Sequence, residues 1–74
     1  MSRAYYEITE ESVTTGEETA ATYGVMMRTE EGSVVIADVS PDRTYVERMV
    51  RSFNENGLEP SHFADAVEDS LAAF

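Results

Sequence analysis

The chain has 74 residues, 15 of them acidic and 5 basic, for a net charge of −10, and it contains no cysteine. That length holds one domain with a radius of gyration of roughly 11 Å, and without thiols there is no disulfide, thiolate metal site or cysteine redox chemistry. Every basic residue is an arginine (Arg3, Arg28, Arg43, Arg48 and Arg51), and so anionic a body opposes contact with nucleic acid and with acidic membranes.

Residues 4–14 predict a first strand, because Tyr6 and Ile8 alternate with Glu7 and Thr9 to give one half-buried face. Val13 falls out of that phase, which predicts a bulge near Glu10 and Glu11. Thr15-Gly16-Glu17-Glu18 then predicts a turn with Gly16 at positive φ. Over residues 19–29, Ala21, Tyr23, Val25 and Met27 alternate with Thr22, Gly24, Met26 and Arg28, so a second strand completes a hairpin. Glu30-Glu31-Gly32 predicts a three-residue loop with Gly32 left-handed, which pairs Thr29 with Ser33. The third strand, residues 33–39, holds the most continuously apolar stretch, Val34-Val35-Ile36-Ala37-Asp38-Val39. In that register Met27 pairs with Val35, Val25 with Ala37 and Tyr23 with Val39 on the core face. Met26 then faces Ile36, and Gly24 faces Asp38, on the other.

The first helix is expected over residues 41–55, with Ser40 as N-cap, Pro41 in the first helical position and Asp42 complementing the dipole. Val46, Met49, Val50 and Phe53 make one apolar stripe, and Arg48 and Arg51 lie outside it as expected partners of local carboxylates. Asn56-Gly57 stops the helix, with Gly57 left-handed and Leu58 folding back. A second helix follows over residues 60–73, where Phe63, Val67, Leu71 and Phe74 recur at helical spacing. The order predicts an α+β fold, a three-stranded antiparallel β-meander followed by two α-helices packed on one face (β-β-β-α-α), as a single domain over residues 1–74. No apolar run is long enough to cross a bilayer and none resembles a signal peptide, so a cytoplasmic location is expected.

Residues 58–69, Leu-Glu-Pro-Ser-His-Phe-Ala-Asp-Ala-Val-Glu-Asp, resemble the carboxyl-terminal signature of a family of short uncharacterised proteins from anaerobic Gram-positive bacteria. In that family a strand-rich first half leads into a Leu-x-Pro-x-His-Phe-x-Asp-x-Val-Glu-Asp pattern. The resemblance covers the last third closely and the strands in outline. It implies a domain of unknown function and brings no activity with it.

Within the same segment, His62, Asp65 and Asp69 fall at i, i+3 and i+7, which on a helix lines up one imidazole and two carboxylates. Such a face is a weak candidate for a divalent metal, since this spacing arises readily by chance in so acidic a chain. The bland alternative is a surface His62 bonded to Asp65 or Glu59, beside solvated acids. With one histidine, no cysteine, no nucleophile elbow and no phosphate loop, no catalytic residue is predicted and no cofactor is expected. Tyr5, Tyr6, Tyr23 and Tyr45 lack the cationic surroundings of a nucleic-acid stacking platform; Tyr23 reads as core, and Tyr45 as a helix-flank residue whose hydroxyl reaches water.

A different feature carries the functional expectation. Met26, Val34 and Ile36 point away from the core in the register above, and a strand apolar on both sides is normally covered on both sides. A core this small also lacks staples, so association with a second copy is a natural source of stability. The expected function is therefore a small acidic, non-enzymatic protein-interaction module, a homodimer formed through the third strand or the outer sheet face, or a docking site for another protein. A metal-binding protein using His62 and its neighbouring acids ranks second, and an acidic nucleic-acid mimic that binds a basic partner ranks third.

Overall fold

The computed structural model describes residues 4–72, so Ala73 and Phe74, expected in the second helix and its stripe, lie outside the described residues. Strands β1 (Tyr5–Thr15), β2 (Glu18–Thr29) and β3 (Gly32–Ser40) form one antiparallel sheet in the order β1-β2-β3, followed by helix α1 (Arg43–Glu55), a 3-10 turn (Pro60–His62) and helix α2 (Phe63–Ala72). Both helices lie on one face, because the inward residues Tyr6, Val25 and Met27 share one buried cluster with Val46, Met49 and Phe53 of α1 and Phe63 and Val67 of α2. The rings of Tyr6, Phe53 and Phe63 are packed at tilted and edge-on angles, with Tyr6 5.5 Å from Phe53 and 5.4 Å from Phe63, the geometry their quadrupoles favour. An α+β meander with two helices is the architecture expected of the sequence.

The helix ends follow from local chemistry. The N-cap of α1 is Asp42, whose carboxylate accepts from the Tyr45 amide at 3.2 Å; Ser40, expected there, is still in the sheet opposite Tyr23 and uses its hydroxyl to accept from the Asp42 amide. At the other end Gly57 takes φ 60°, and the Leu58 and Gly57 amides donate to the Phe53 and Asn54 carbonyls, which is the Schellman pattern that only glycine adopts without strain. The Tyr45 hydroxyl donates to the Ser70 carbonyl at 2.6 Å and so ties α1 to α2, where water was expected.

Two sheet features depart from the sequence reading. β1 pairs with β2 without interruption from Tyr5 to Thr15, so no bulge occurs near Glu10 and Glu11, and Val13 stays exposed instead. The β2–β3 loop is one residue shorter than expected: Thr29 pairs with Gly32, because Gly32 at φ 141° joins the ladder rather than sitting in the loop, and the Thr29 hydroxyl links Glu31 and Gly32 across the turn. A slip of one residue exchanges the faces of a strand. Met27 therefore pairs with Val34, Met26 with Val35 and Val25 with Ile36. Val34 and Ile36, expected outside, stand on the helix side, and only Met26 of that trio faces out, beside Val35.

The bulge lies in β3. Between the pairs Val25–Ile36 and Tyr23–Ser40 the third strand holds Ala37, Asp38 and Val39 against Gly24 alone, with Asp38 at φ 54°. Gly24 permits this, since a Cβ there would run into the Ile36 carbonyl oxygen. Asp38 is held by the buried Thr22, whose hydroxyl donates to its carboxylate at 2.6 Å. The extra residues restore the phase, so Val39 is buried as expected.

Past Glu10 and Tyr23 the first hairpin leaves the core as a two-stranded arm exposed on both faces through residues 10–21. The arm accounts for extents of 47 × 27 × 17 Å and a radius of gyration of 12.9 Å, above the roughly 11 Å of a compact chain this long.

Candidate functional site: the free edge of the third strand

A three-stranded sheet has two edges, and their backbone groups can be assigned from one side chain. Asn54 on α1 accepts from the Tyr6 amide and donates to the Tyr6 carbonyl, both at 2.9 Å. The Tyr6 backbone therefore points away from β2. Outward and inward groups alternate in an antiparallel ladder, so Met27, opposite Tyr6, directs its amide and carbonyl to β3 and exchanges bonds with Val34, as Val25 does with Ile36. Val35 must then point its amide and carbonyl out of the sheet, as must Ser33, and the Ala37 amide, opposed to the inward Ile36 carbonyl, points out with them. Among the described residues none of these three meets a partner on that side.

At the first edge, Asn54 stands in for one residue of a fourth strand. The next outward residue there, Ile8, lies in a groove against α1 that is also lined by Glu7, Glu47 and Val50. Among the described residues the second edge has no such cover. Its side chains are Ser33, Val34, Val35, Ile36 and Ala37, an uncharged run between Glu31 and Asp38, with Val34 52% and Val35 47% exposed. The turn at Gly32 bounds this edge at one end and the Asp38 bulge at the other, since a bulge twists a strand out of pairing geometry. Beside the turn, Val34 also forms one apolar wall of an open cleft of about 570 Å³ that includes Met27, Glu30, Glu31 and Pro60.

Of the residues singled out from the sequence, Val34 and Ile36 thus belong to this edge on its helix side, whereas Met26 lies one strand in, on the open face. His62, Asp65 and Asp69 are exposed. His62 lies at the end of the 3-10 turn rather than in α2, and the His62 amide donates to the Glu59 carbonyl. Among the described residues no group of three or more His, Asp or Glu side chains is arranged to hold a metal ion. Arg48 and Arg51 have no carboxylate partner among the described residues; the ion pairs there join Arg28 to Glu7, and Arg43 to both Glu10 and Glu47. No described helix is long and apolar enough to cross a membrane.

The sequence reading gave Asn54 no role, placed Val35 on the core face opposite Met27, and set Asp38 opposite Gly24 without a bulge. One signal was present for the bulge: a glycine inside an alternating strand, Gly24, marks a close approach of another backbone. No comparable signal marks Asn54, which sits on α1 beside the apolar stripe like any polar helix residue.

The family of unknown function DUF6514 has a sequence model that matches residues 1–73, which spans every strand and helix described above. No curated protein and no solved structure matches the chain.

Proposed function

Since the chain belongs to that family of unknown function, we propose from its own geometry that it is a small, acidic, non-enzymatic interaction module whose working surface is the free edge of β3. The observation that carries this reading is the contrast in backbone pairing: Asn54 fills the β1 edge at Tyr6, while Ser33 and Val35 turn their amides and carbonyls, and Ala37 its amide, away from β2 beside exposed valines and meet no partner among the described residues. Such a row accepts a further strand, with main-chain hydrogen bonds supplying affinity and alternate side chains supplying choice of partner.

The test uses a synthetic peptide with the sequence of residues 32–38 as the added strand, titrated into isotope-labelled protein at micromolar concentration. Strand addition is expected to shift and protect the amides of Ser33, Val35 and Ala37 ahead of the rest of the sheet. Amides that exchange as freely as those of the arm, at millimolar peptide and at every protein concentration, would sink the reading.

A further inference from the structure

We infer that the strand accepted by this edge is the same strand of a second copy, paired antiparallel about a two-fold axis through Val35, so that two sheets join into one of six strands. This rests on the reading of β3 as a pairing edge and adds to it the partner and the register.

The first support is charge. Each copy carries a net charge of −10, and two such bodies meet at least cost where neither presents a carboxylate. The β1 edge carries Glu7, Glu10 and Glu11, whereas residues 32–37 of β3 carry none. With Val35 on the axis, Ser33 stands opposite the second copy's Ala37 and Asp38 opposite its Gly32, so no acid faces an acid, an arrangement that would be destabilising.

The second support is hydrogen-bond parity. Ser33, Val35 and Ala37 are the outward residues, and a closed two-fold pairing must match outward groups with outward groups. Centring the axis on Val35 engages all three from each copy. Centring it on Val34 leaves Ala37 opposite Glu31, and centring it on Ile36 leaves Val34 opposite Asp38, each with only two outward residues matched. The Val35 register also sets Val34 against the second copy's Ile36 on the helix side and Val35 against its own counterpart on the open side, covering the two most exposed valines of the edge. The segment is self-complementary in size, small residues at its ends and branched ones within.

The chain has no cysteine, so single-cysteine variants report the register directly. Residues directly opposite in a bonded antiparallel pair have Cα atoms about 5.5 Å apart, within disulfide range. Under mild oxidation Val35→Cys is expected to give a covalent dimer, Ser33→Cys and Ala37→Cys alone to give little, and their equimolar mixture to cross-link. Light scattering is expected to show two chains, more completely at higher salt, where repulsion between the copies is screened. Val35→Pro removes an outward amide that an edge strand can spare, so it should keep the circular dichroism of the fold and show one chain.

A two-chain mass without preferential cross-linking at Val35, or one that persists in Val35→Pro, overturns the register. A one-chain mass at all concentrations, with the edge amides still responding to the peptide, overturns the second copy as partner and leaves the pairing edge standing. A one-chain mass with no peptide response removes both.

Discussion

The two edges of this sheet are built from similar strands and treated in opposite ways. β1 is crossed by α1, and one asparagine on that helix supplies the donor and acceptor that a neighbouring strand would have supplied to Tyr6. β3 is left bare from Ser33 to Ala37 and is closed off only at its ends, by the turn at Gly32 and the bulge at Asp38. Unpaired edges invite association, and proteins usually blunt them with charge, bulges or cover. Among the described residues the side-chain cover, Asn54 at Tyr6, lies on β1, which also carries Glu7, Glu10 and Glu11, whereas residues 32–37 of β3 carry neither cover nor acid.

The largest effect is expected from removing the feature that shapes the bare edge. In Gly24→Ala the new methyl would meet the Ile36 carbonyl and the Thr9 hydroxyl, and the obstruction is strand backbone, so β3 must shift. A loss of about 3 kcal/mol or more is expected in urea unfolding, with the Val25–Ile36 pairing lost from amide exchange first. A variant as stable as the parent would mean that the bulge relaxes freely and does not define the end of the edge.

Next comes the covered edge. Asn54→Ala leaves the Tyr6 amide and carbonyl without partners, which costs about 1–3 kcal/mol and, in a domain of this size, roughly 4–8 °C of melting temperature per kcal/mol. It also strips the cover from β1. If edge cover is what limits association, this variant should show masses above two chains by light scattering, since pairing can then proceed at both edges. Destabilisation without larger species would assign Asn54 a purely structural role.

Tyr6 is held on its other side as well: its hydroxyl donates to the Leu58 carbonyl at 2.7 Å, and its side chain is 1% exposed. Tyr6→Phe should cost about 1 kcal/mol, the usual contribution of one such bond. Burial pushes the Tyr6 phenol above the ordinary tyrosine range. The unfolded chain therefore ionises at this residue first, near pH 10, and the contribution is complete below that pH and lost as pH rises through the folded value. Thermal melts from pH 9 to 11.5 should fall in the parent and fall less steeply in Tyr6→Phe. Parallel slopes would show that the Tyr6 phenol does not carry the alkaline loss.

The strands, both helices and the Schellman stop at Gly57 were legible because each rests on local pattern: alternation, a 3.6-residue stripe, a glycine where φ must be positive. The β2–β3 register was not, because Gly32 can serve as a left-handed loop residue or as the first pairing residue, and the sequence Glu30-Glu31-Gly32 is compatible with both. That single ambiguity reversed the faces of Val34, Val35 and Ile36, so β3 was marked as an association surface on a face that two of those residues do not occupy. Asn54 was out of reach for a different reason. Its role depends on a contact 48 positions away along the chain, which neither periodicity nor composition encodes.

The smallest effect is expected at the root of the arm, where the β1 edge leaves the cover of α1. The Arg43 guanidinium meets Glu47 at 2.7 Å and Glu10 at 3.7 Å and lies 5.8 Å above the Tyr23 ring. Its hydrogen bond with Glu47, and then that carboxylate's charge, push the guanidinium's pKa further up. These contacts are exposed, where water and salt screen them, and a cation in the first turn of a helix opposes the dipole, so the terms partly cancel. Arg43→Ala should change the melting temperature by no more than a few degrees and less than Tyr6→Phe, with the difference shrinking in high salt. What should change is the arm, whose amides from Glu11 to Ala21 would exchange faster once Glu10 and Tyr23 lose their shared anchor. A loss larger than that of Asn54→Ala would invert the ranking: β1 would then be held by its charged root rather than by the amide that covers its edge.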